Sequence, residues 1–231
     1  MHPNTLTMVL LFVSNSAAIS IGSASNFGAC AGQTVTSTGN TVIVGSVGTS
    51  PGTSITGFPP GQATSLNRAN FAARRCIADI STAYAACKGA LAPVMLTGQP
   101  LDGKVLSPGT YSYATTAALN PGATLTFDAR GISTAEFAIQ VGTSLDLFSN
   151  SKILLTNGAR ACNVIFCAGS SVVIGTNAGV NATIVAYTSI SVANEAANRG
   201  GLYGINGAVT LINNRINSCS QPLLDLSVSI G

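Results

Sequence analysis

The chain has 231 residues, of which 46% are hydrophobic and only 7% are charged, and its formal net charge is +3. This length and apolar content are enough for one domain with a substantial core and argue against a disordered chain. The few Lys and Arg residues form no basic stripe for nucleic acid, and no stretch is long and apolar enough for a transmembrane helix, so neither nucleic acid nor membrane is an expected partner.

The N-terminal residues have the features of a secretory signal. An apolar run from Met8 to Val13 precedes the small residues Ser16-Ala-Ala18, a pattern typical of a signal core and its cleavage site. We therefore predict a signal peptide over residues 1–18, a single domain over 19–231 and a secreted, extracellular protein. The six cysteines all follow residue 18, and their even number fits disulfide bonding in an oxidising compartment.

One long helix is predicted over about 62–90. Apolar residues recur there every three or four positions, Pro59 and Pro60 precede the pattern, and Gly89 and Pro93 follow it. Ahead of the helix, residues 33–38 and 40–44 alternate like two strands of a separate coil. At 1.5 Å per residue the helix is about 40 Å long, enough to run beside six or seven stacked strands.

A short phrase recurs five times after Pro121: a small or polar turn, then alternating apolar and polar residues. The aligned apolar residues are separated by roughly 20, 27, 18 and 19 residues, the period of a β-solenoid; they are Leu125, Leu145, Val172, Ile190 and Val209. A second strand before each phrase keeps apolar outer positions, which the predicted helix would cover. Cys167 lies on that side, so we expect a disulfide between helix and sheet.

Two outer sides of this predicted solenoid remain as candidate binding surfaces. The first is the outer face of the repeated phrase, in which Thr126 would stack on Asp146; its candidates are Thr124, Thr126, Ser144, Ser171, Val173, Ser189, Ser191, Ala208 and Thr210. The second is formed by the variable stretches between strands, with the candidates Ser151, Thr176, Ala178 and Val180. Charged Lys152, Glu195 and Arg199 lie on or near this second side, and the glycosylation sequon Asn181-Ala-Thr183 lies next to it.

An ordered set of motifs covers nearly everything after the leader. It includes Gly32-Gln-Thr-Val-Thr-Ser-Thr-Gly39, Ile55-Thr-Gly-Phe-Pro-Pro60, Leu106-Ser-Pro-Gly-Thr-Tyr111, Asn157-Gly-Ala-Arg-Ala-Cys-Asn-Val164 and Gly207-Ala-Val-Thr-Leu211. In this order they resemble the microbial ice-binding (antifreeze) proteins of the discontinuous β-helix type. The resemblance implies a right-handed β-helix of triangular section, with an N-terminal coil inserted out of sequence order and one long helix packed alongside. It also implies an ice crystal surface as partner, no catalytic residues and no cofactor.

Elementary physics favours the same function. Parallel coils repeat at about 4.8 Å, close to spacings in the ice lattice, and Thr or Ser on successive coils would place hydroxyls at that interval. Adsorbed molecules force the ice front to curve between them, which slows growth and recrystallisation. Which of the two sides binds ice stays open at this point.

Two other classes of protein share a secreted solenoid. A polysaccharide-cleaving enzyme needs paired carboxylates, whereas this chain has seven acidic residues and its single histidine is His2, in the leader. No Cys-x-x-Cys motif suggests a metal site. An adhesin or polysaccharide-binding protein remains the alternative to an ice-binding monomer.

Overall fold

The computed structural model describes residues 19–220, so the predicted signal peptide lies outside the described residues. One α-helix, α1, spans Phe71–Gly89, and two short 3-10 turns span Gly22–Asn26 and Ala161–Asn163. The strands are β1 (Phe27–Ala31), β2 (Thr34–Thr38), β3 (Val42–Thr49), β4 (Ser54–Thr56), β5 (Gln62–Arg68), β6 (Val94–Met95), β7 (Val105–Leu106), β8 (Gly109–Tyr113), β9 (Ala117–Leu119), β10 (Thr124–Asp128), β11 (Phe137–Val141), β12 (Leu145–Leu147), β13 (Lys152–Thr156), β14 (Val164–Ala168), β15 (Val172–Ile174), β16 (Gly179–Ala186), β17 (Ile190–Val192), β18 (Ala197–Gly204), β19 (Ala208–Ile212) and β20 (Arg215–Asn217).

The strands form a right-handed β-helix of triangular section in which the strands of successive coils pair in parallel. The seven-stranded side has the order β4-β2-β19-β17-β15-β12-β9. The other two sides belong to one continuous thirteen-stranded sheet, because long strands such as β16 and β18 bend around a corner. We call the part that contacts α1 the helix side, and the part containing β7, β10, β13 and β20 the third side.

The order of coils differs from the order of the sequence. On the helix side β1 pairs with both β3 and β18, so the N-terminal segment adds its coils beyond the last coil of the chain. Helix α1 then carries the chain back along the stack to β6, and the remaining coils are laid down towards the middle. The last strand of the described residues, β20, pairs with β18 and β3. The inserted N-terminal coil expected from the family resemblance is therefore confirmed.

The core fills the inside of the triangle. On the seven-stranded side the inward residues of β12, β15, β17 and β19 are at most 1% exposed; they are Leu145, Leu147, Val172, Ile174, Ile190, Val192, Val209 and Leu211. Three phenylalanines from the other sides pack edge to face. The centroid of the Phe127 ring lies 5.0 Å from that of Phe137 and 6.0 Å from that of Phe166. Because every coil contributes a large apolar residue at the same place, the core is continuous along the stack.

A second apolar cluster joins α1 to the helix side, as the sequence predicted. The buried helix residues are Ala73, Cys76, Ile80, Ala83 and Cys87, and they face Ala138, Ile165, Val185 and Tyr203. Gln140 closes the end of the helix, because its Nε2 donates to the carbonyls of Cys87 at 2.9 Å and Ala90 at 2.8 Å. A disulfide between Cys87 and Cys167 confirms the expected link between helix and sheet, and a second disulfide joins Cys162 to Cys219.

The helix is shorter than the sequence pattern predicted. It begins at Phe71 rather than near 62, with Asn70 as its cap accepting a hydrogen bond from the Ala73 amide at 3.0 Å. Residues 62–68 instead form β5, since they pair with β3 and complete the terminal coil. Pairing to an open strand edge outweighed a weak helical periodicity. The 19 residues of α1 span about 28 Å, equal to about six coil spacings.

The prediction for one of the five repeated phrases, the one at Leu125, is wrong, because this phrase does not lie on the seven-stranded side. Strand β10 lies on the third side, where it pairs with β7 and β13, and the strand of its coil on the seven-stranded side is β9. Leu125 and Phe127 do point inward, but from a different wall. The phrases look alike because glycine occurs at two different corners. Gly142 and Gly169 lie against the backbone of the preceding coil, whereas Gly122 supplies a positive φ.

At the corner between the seven-stranded side and the third side, one residue of each coil has a left-handed backbone conformation. Six stacked residues have φ between +50° and +74°: Gly39, Gly122, Asn150, Asn177, Glu195 and Asn213. Backbone hydrogen bonds continue from coil to coil through this corner, as from the Asn177 amide to the Asn194 carbonyl at 3.0 Å. Glycine and asparagine tolerate this conformation best, so Glu195 is the strained member of the column.

We expect Glu195→Asn to raise the free energy of unfolding by about 1 kcal/mol, because asparagine adopts the left-handed conformation at lower cost. The reciprocal substitution Asn177→Glu, one coil away, should lower it by a similar amount. Urea denaturation of both variants measures the effect. If neither Glu195→Asn nor Asn177→Glu changed the free energy of unfolding, these corners would carry no backbone strain.

Candidate functional site

Two columns of small side chains run along the outside of the seven-stranded side. The first, read from the β4 end, consists of Ser54, Thr34, Ala208, Ser189, Ser171, Ser144 and Thr116. The second consists of Thr56, Thr36, Thr210, Ser191, Val173, Asp146 and Ala118. These positions alternate with the inward ladder, so the strand period of two builds the core and the outer surface at once. Neighbouring members of a column are about 4.8 Å apart.

Hydrogen bonds between hydroxyls link neighbouring coils. Thr36 and Thr210 join their Oγ1 atoms at 3.4 Å, and Ser171 Oγ lies 2.8 Å from Thr188 Oγ1. Thr116 Oγ1 lies 3.1 Å from Ser144 Oγ. Such contacts restrict side chains that already have a single χ1 angle, so binding to an ordered surface would cost little further rotamer entropy.

Asp146 is the single ionisable side chain in the two columns. It lies between Ala118 and Val173 on the neighbouring strands, near the β9 end of the side. Ser144 Oγ donates to its Oδ2 at 3.4 Å. The predicted stacking of Thr126 on Asp146 is wrong, because Thr126 lies on the third side. The remaining surface of the two columns carries no charge.

The third side has a different character, and two predicted site residues lie on it. Thr124 pairs with Lys152, and Thr126 pairs with Leu154. Arg199 and Arg215 belong to the same wall, because their strands, β18 and β20, are part of the thirteen-stranded sheet and not of the seven-stranded side. Asp128 lies here too, and hydrogen bonds from the Arg130 amide and the Asn157 side chain hold the pKa of its carboxyl below the usual value.

The alternative set of site residues is mostly buried. Ser151 and Ala178 are each 1% exposed and Val180 is 3% exposed, so they face the core, and only Thr176 remains partly exposed at a corner. The prediction that this set faces outward is wrong because Asn150 and Asn177, which have a left-handed backbone conformation, turn the chain. The turn shifts which of the following residues point inward and which point outward. The sequon residue Asn181 lies on the third side, with its Nδ2 donating to the Ile153 carbonyl at 2.8 Å.

The structure brings together seven of the predicted residues and adds others. Ser144, Ser171, Val173, Ser189, Ser191, Ala208 and Thr210 lie on the seven-stranded side as predicted. Sequence reasoning missed Thr34, Thr36, Ser54, Thr56, Thr116 and Ala118, which extend the columns at both ends. The alternation in residues 33–38 was visible, but nothing in it indicated that this strand lies beside β19.

Within residues 19–220, no cluster of three or more His, Cys, Asp or Glu side chains could hold a metal ion. In the same range, no helix is both long and apolar enough to cross a bilayer.

Comparisons with known proteins agree with this architecture. A relative from Nostoc sp. strain HG1, named ice-binding protein, is 40% identical over 202 residues, covering 86% of this chain and 74% of its own. Ice-binding protein K3-B1 of Typhula ishikariensis is 31% identical, with coverages of 75% and 79%. The crystal structure of the ice-binding protein of Antarctomyces psychrotrophicus superposes with a TM-score of 0.82 at 36% identity, covering 87% of this chain and 98% of that one.

The sequence model of the ice-binding-like family matches residues 29–217, which extend from within β1 to the end of β20. The chain therefore belongs to the ice-binding-like family of β-helical proteins.

Proposed function

We propose that this protein adsorbs to ice crystals through the seven-stranded side and thereby inhibits ice growth and recrystallisation. The observation that carries the proposal is the pair of stacked columns of Thr, Ser, Ala and Val, repeated on seven parallel strands with one charge among them. The names of its relatives support the same function and do not favour an adhesin or a polysaccharide-binding protein.

The binding surface is large because it repeats. Seven strands at about 4.8 Å extend over about 29 Å, and the two columns lie about 7 Å apart, two residues along each strand. Each hydroxyl or methyl contributes a weak contact, but the rigid sheet lets all of them meet an ordered water layer together. Since little conformational entropy is lost, the weak contacts add up to adsorption that does not readily reverse.

The third side suits this role less well. Lys152 and Arg215 are exposed there, and their tightly held hydration shells would compete with an ice-like water layer. Leu154, 45% exposed, interrupts the surface with a larger side chain.

We expect Val173→Tyr to remove most of the thermal hysteresis, because a ring in the interior of the second column would hold the surface away from ice. Val173 is 46% exposed, so the larger side chain should leave the fold intact. Nanolitre osmometry of the folded variant measures the effect. The matched control is Leu154→Tyr, at a site 45% exposed on the third side, which should leave the hysteresis unchanged. The opposite ranking of these two variants would assign ice binding to the third side.

Asp146→Thr should increase thermal hysteresis, because it removes the one charge from the two columns and extends the Thr and Ser pattern. Asp128→Thr on the third side is the control and should have no such effect. The comparison requires equal protein concentrations and an ice recrystallisation assay alongside osmometry. A loss of activity in Asp146→Thr would mean that the carboxylate itself contacts ice.

We further propose that the protein acts outside the cell as a monomer and has no enzymatic activity. The apolar leader and the two disulfides support secretion. We expect the protein recovered from culture medium to have lost residues 1–18, and intact mass spectrometry measures this. A protein retained in the cell with Met1 in place would contradict secretion.

A further inference from the structure

Two buried cysteines in the described part of the chain take no part in the two disulfides. Cys30 on β1 and Cys76 on α1 are both fully buried. Ala29 and Ala31, on either side of Cys30, belong to the inner core, whereas Cys30 belongs to the cluster between sheet and helix. We propose that Cys30 and Cys76 form a third disulfide, which fixes the first half of α1 to β1.

The register of helix and sheet repeats the geometry of an existing disulfide. Cys76 precedes Cys87 by eleven residues, which is close to three full turns, so both lie on one face about 16 Å apart. On the sheet, Cys167 pairs with Val185, Val185 with Tyr203, and Tyr203 with Cys30. Cys30 thus lies in the same column as Cys167, three strands and about 14 Å along the stack.

The separation of Cys76 from Cys87 along the helix and that of Cys30 from Cys167 along the stack agree within about one residue of helix rise. Because Cys87 is bonded to Cys167, moving three coils along the stack brings the Cys76 side chain opposite Cys30. The Cys30 thiol is also close enough to Cys76 to raise the pKa of the Cys76 thiol. The geometry that joins the end of the helix to β14 therefore exists a second time nearer its beginning.

The surroundings offer these thiols no other role. The nearby Tyr203 hydroxyl is shared between the carbonyls of Ala24 at 2.7 Å and Phe27 at 3.0 Å rather than directed at sulfur. Gly48 pairs with Cys30 on its other side, and a side chain at that position would press on the Cys30 sulfur. The site therefore leaves the two sulfurs to contact each other.

The bond forms by thiol–disulfide exchange. The two thiols lose two protons and two electrons, and an external disulfide accepts the electrons and is reduced to two thiols. Burial raises the pKa of the Cys76 thiol well above its ordinary value, and the adjacent Cys30 raises it further. Since the thiolate is the attacking species, the exchange belongs to folding, before the helix has docked on the sheet.

The test is a count of free thiols in the full chain, refolded in a buffer of oxidised and reduced glutathione. The protein is then denatured in guanidinium chloride without reductant and titrated with a thiol reagent. We expect no free thiol in the wild-type chain and one in Cys30→Ala. Two free thiols in the wild-type chain would overturn the proposal.

Peptide mapping without reduction supplies the assignment. A fragment pair joined through Cys30 and Cys76 supports the proposal, and Cys30 joined to any other cysteine contradicts it. The double variant Cys30→Ala and Cys76→Ala is the control, because it should also show no free thiol if the other four cysteines are paired. Any free thiol in that control comes from the other four cysteines. In that case the peptide map alone tests the proposal: the Cys30–Cys76 fragment pair supports the third disulfide, and its absence contradicts it.

Discussion

The parallel hydrogen-bond ladder between coils is the constraint on which the rest of this structure depends. It sets one spacing of about 4.8 Å for everything that stacks. Inward side chains meet at that interval and form a continuous core, and outward side chains form columns at the same interval. Even the corners obey it, since left-handed Gly and Asn residues keep the backbone bonds running from coil to coil.

The three walls share this ladder but carry different chemistry. The helix side is apolar on both faces and therefore needs α1, whose 19 residues match about six coil spacings. The third side carries Lys and Arg and is suited to ordinary solvation. The seven-stranded side carries small hydroxyl and methyl groups with one carboxylate, so its hydration can take an ordered form. The proposed function follows from this division of the surface.

Much of the fold could be predicted from the sequence, because periodicity reports directly on strand alternation and helix packing. The inward ladder, the helix cover and the bond from the helix to Cys167 are confirmed. The errors arose where local pattern and long-range pairing disagree. Residues 62–68 have a helical spacing but pair with β3, and the phrase at Leu125 resembles its neighbours but follows a different corner. In the candidate site, the prediction that Ser151, Ala178 and Val180 face outward is wrong, because all three are buried. A residue in the left-handed conformation shifts the inward and outward alternation, and the sequence pattern alone does not reveal that shift.

The most direct measurement is adsorption of the fluorescently labelled, folded protein to a single ice crystal grown slowly in its solution. We expect the label to become concentrated in the ice on defined crystal planes and the crystal to become faceted. A crystal that excludes the label as it excludes an ordinary solute, and stays round as it grows, would contradict adsorption of this protein to ice.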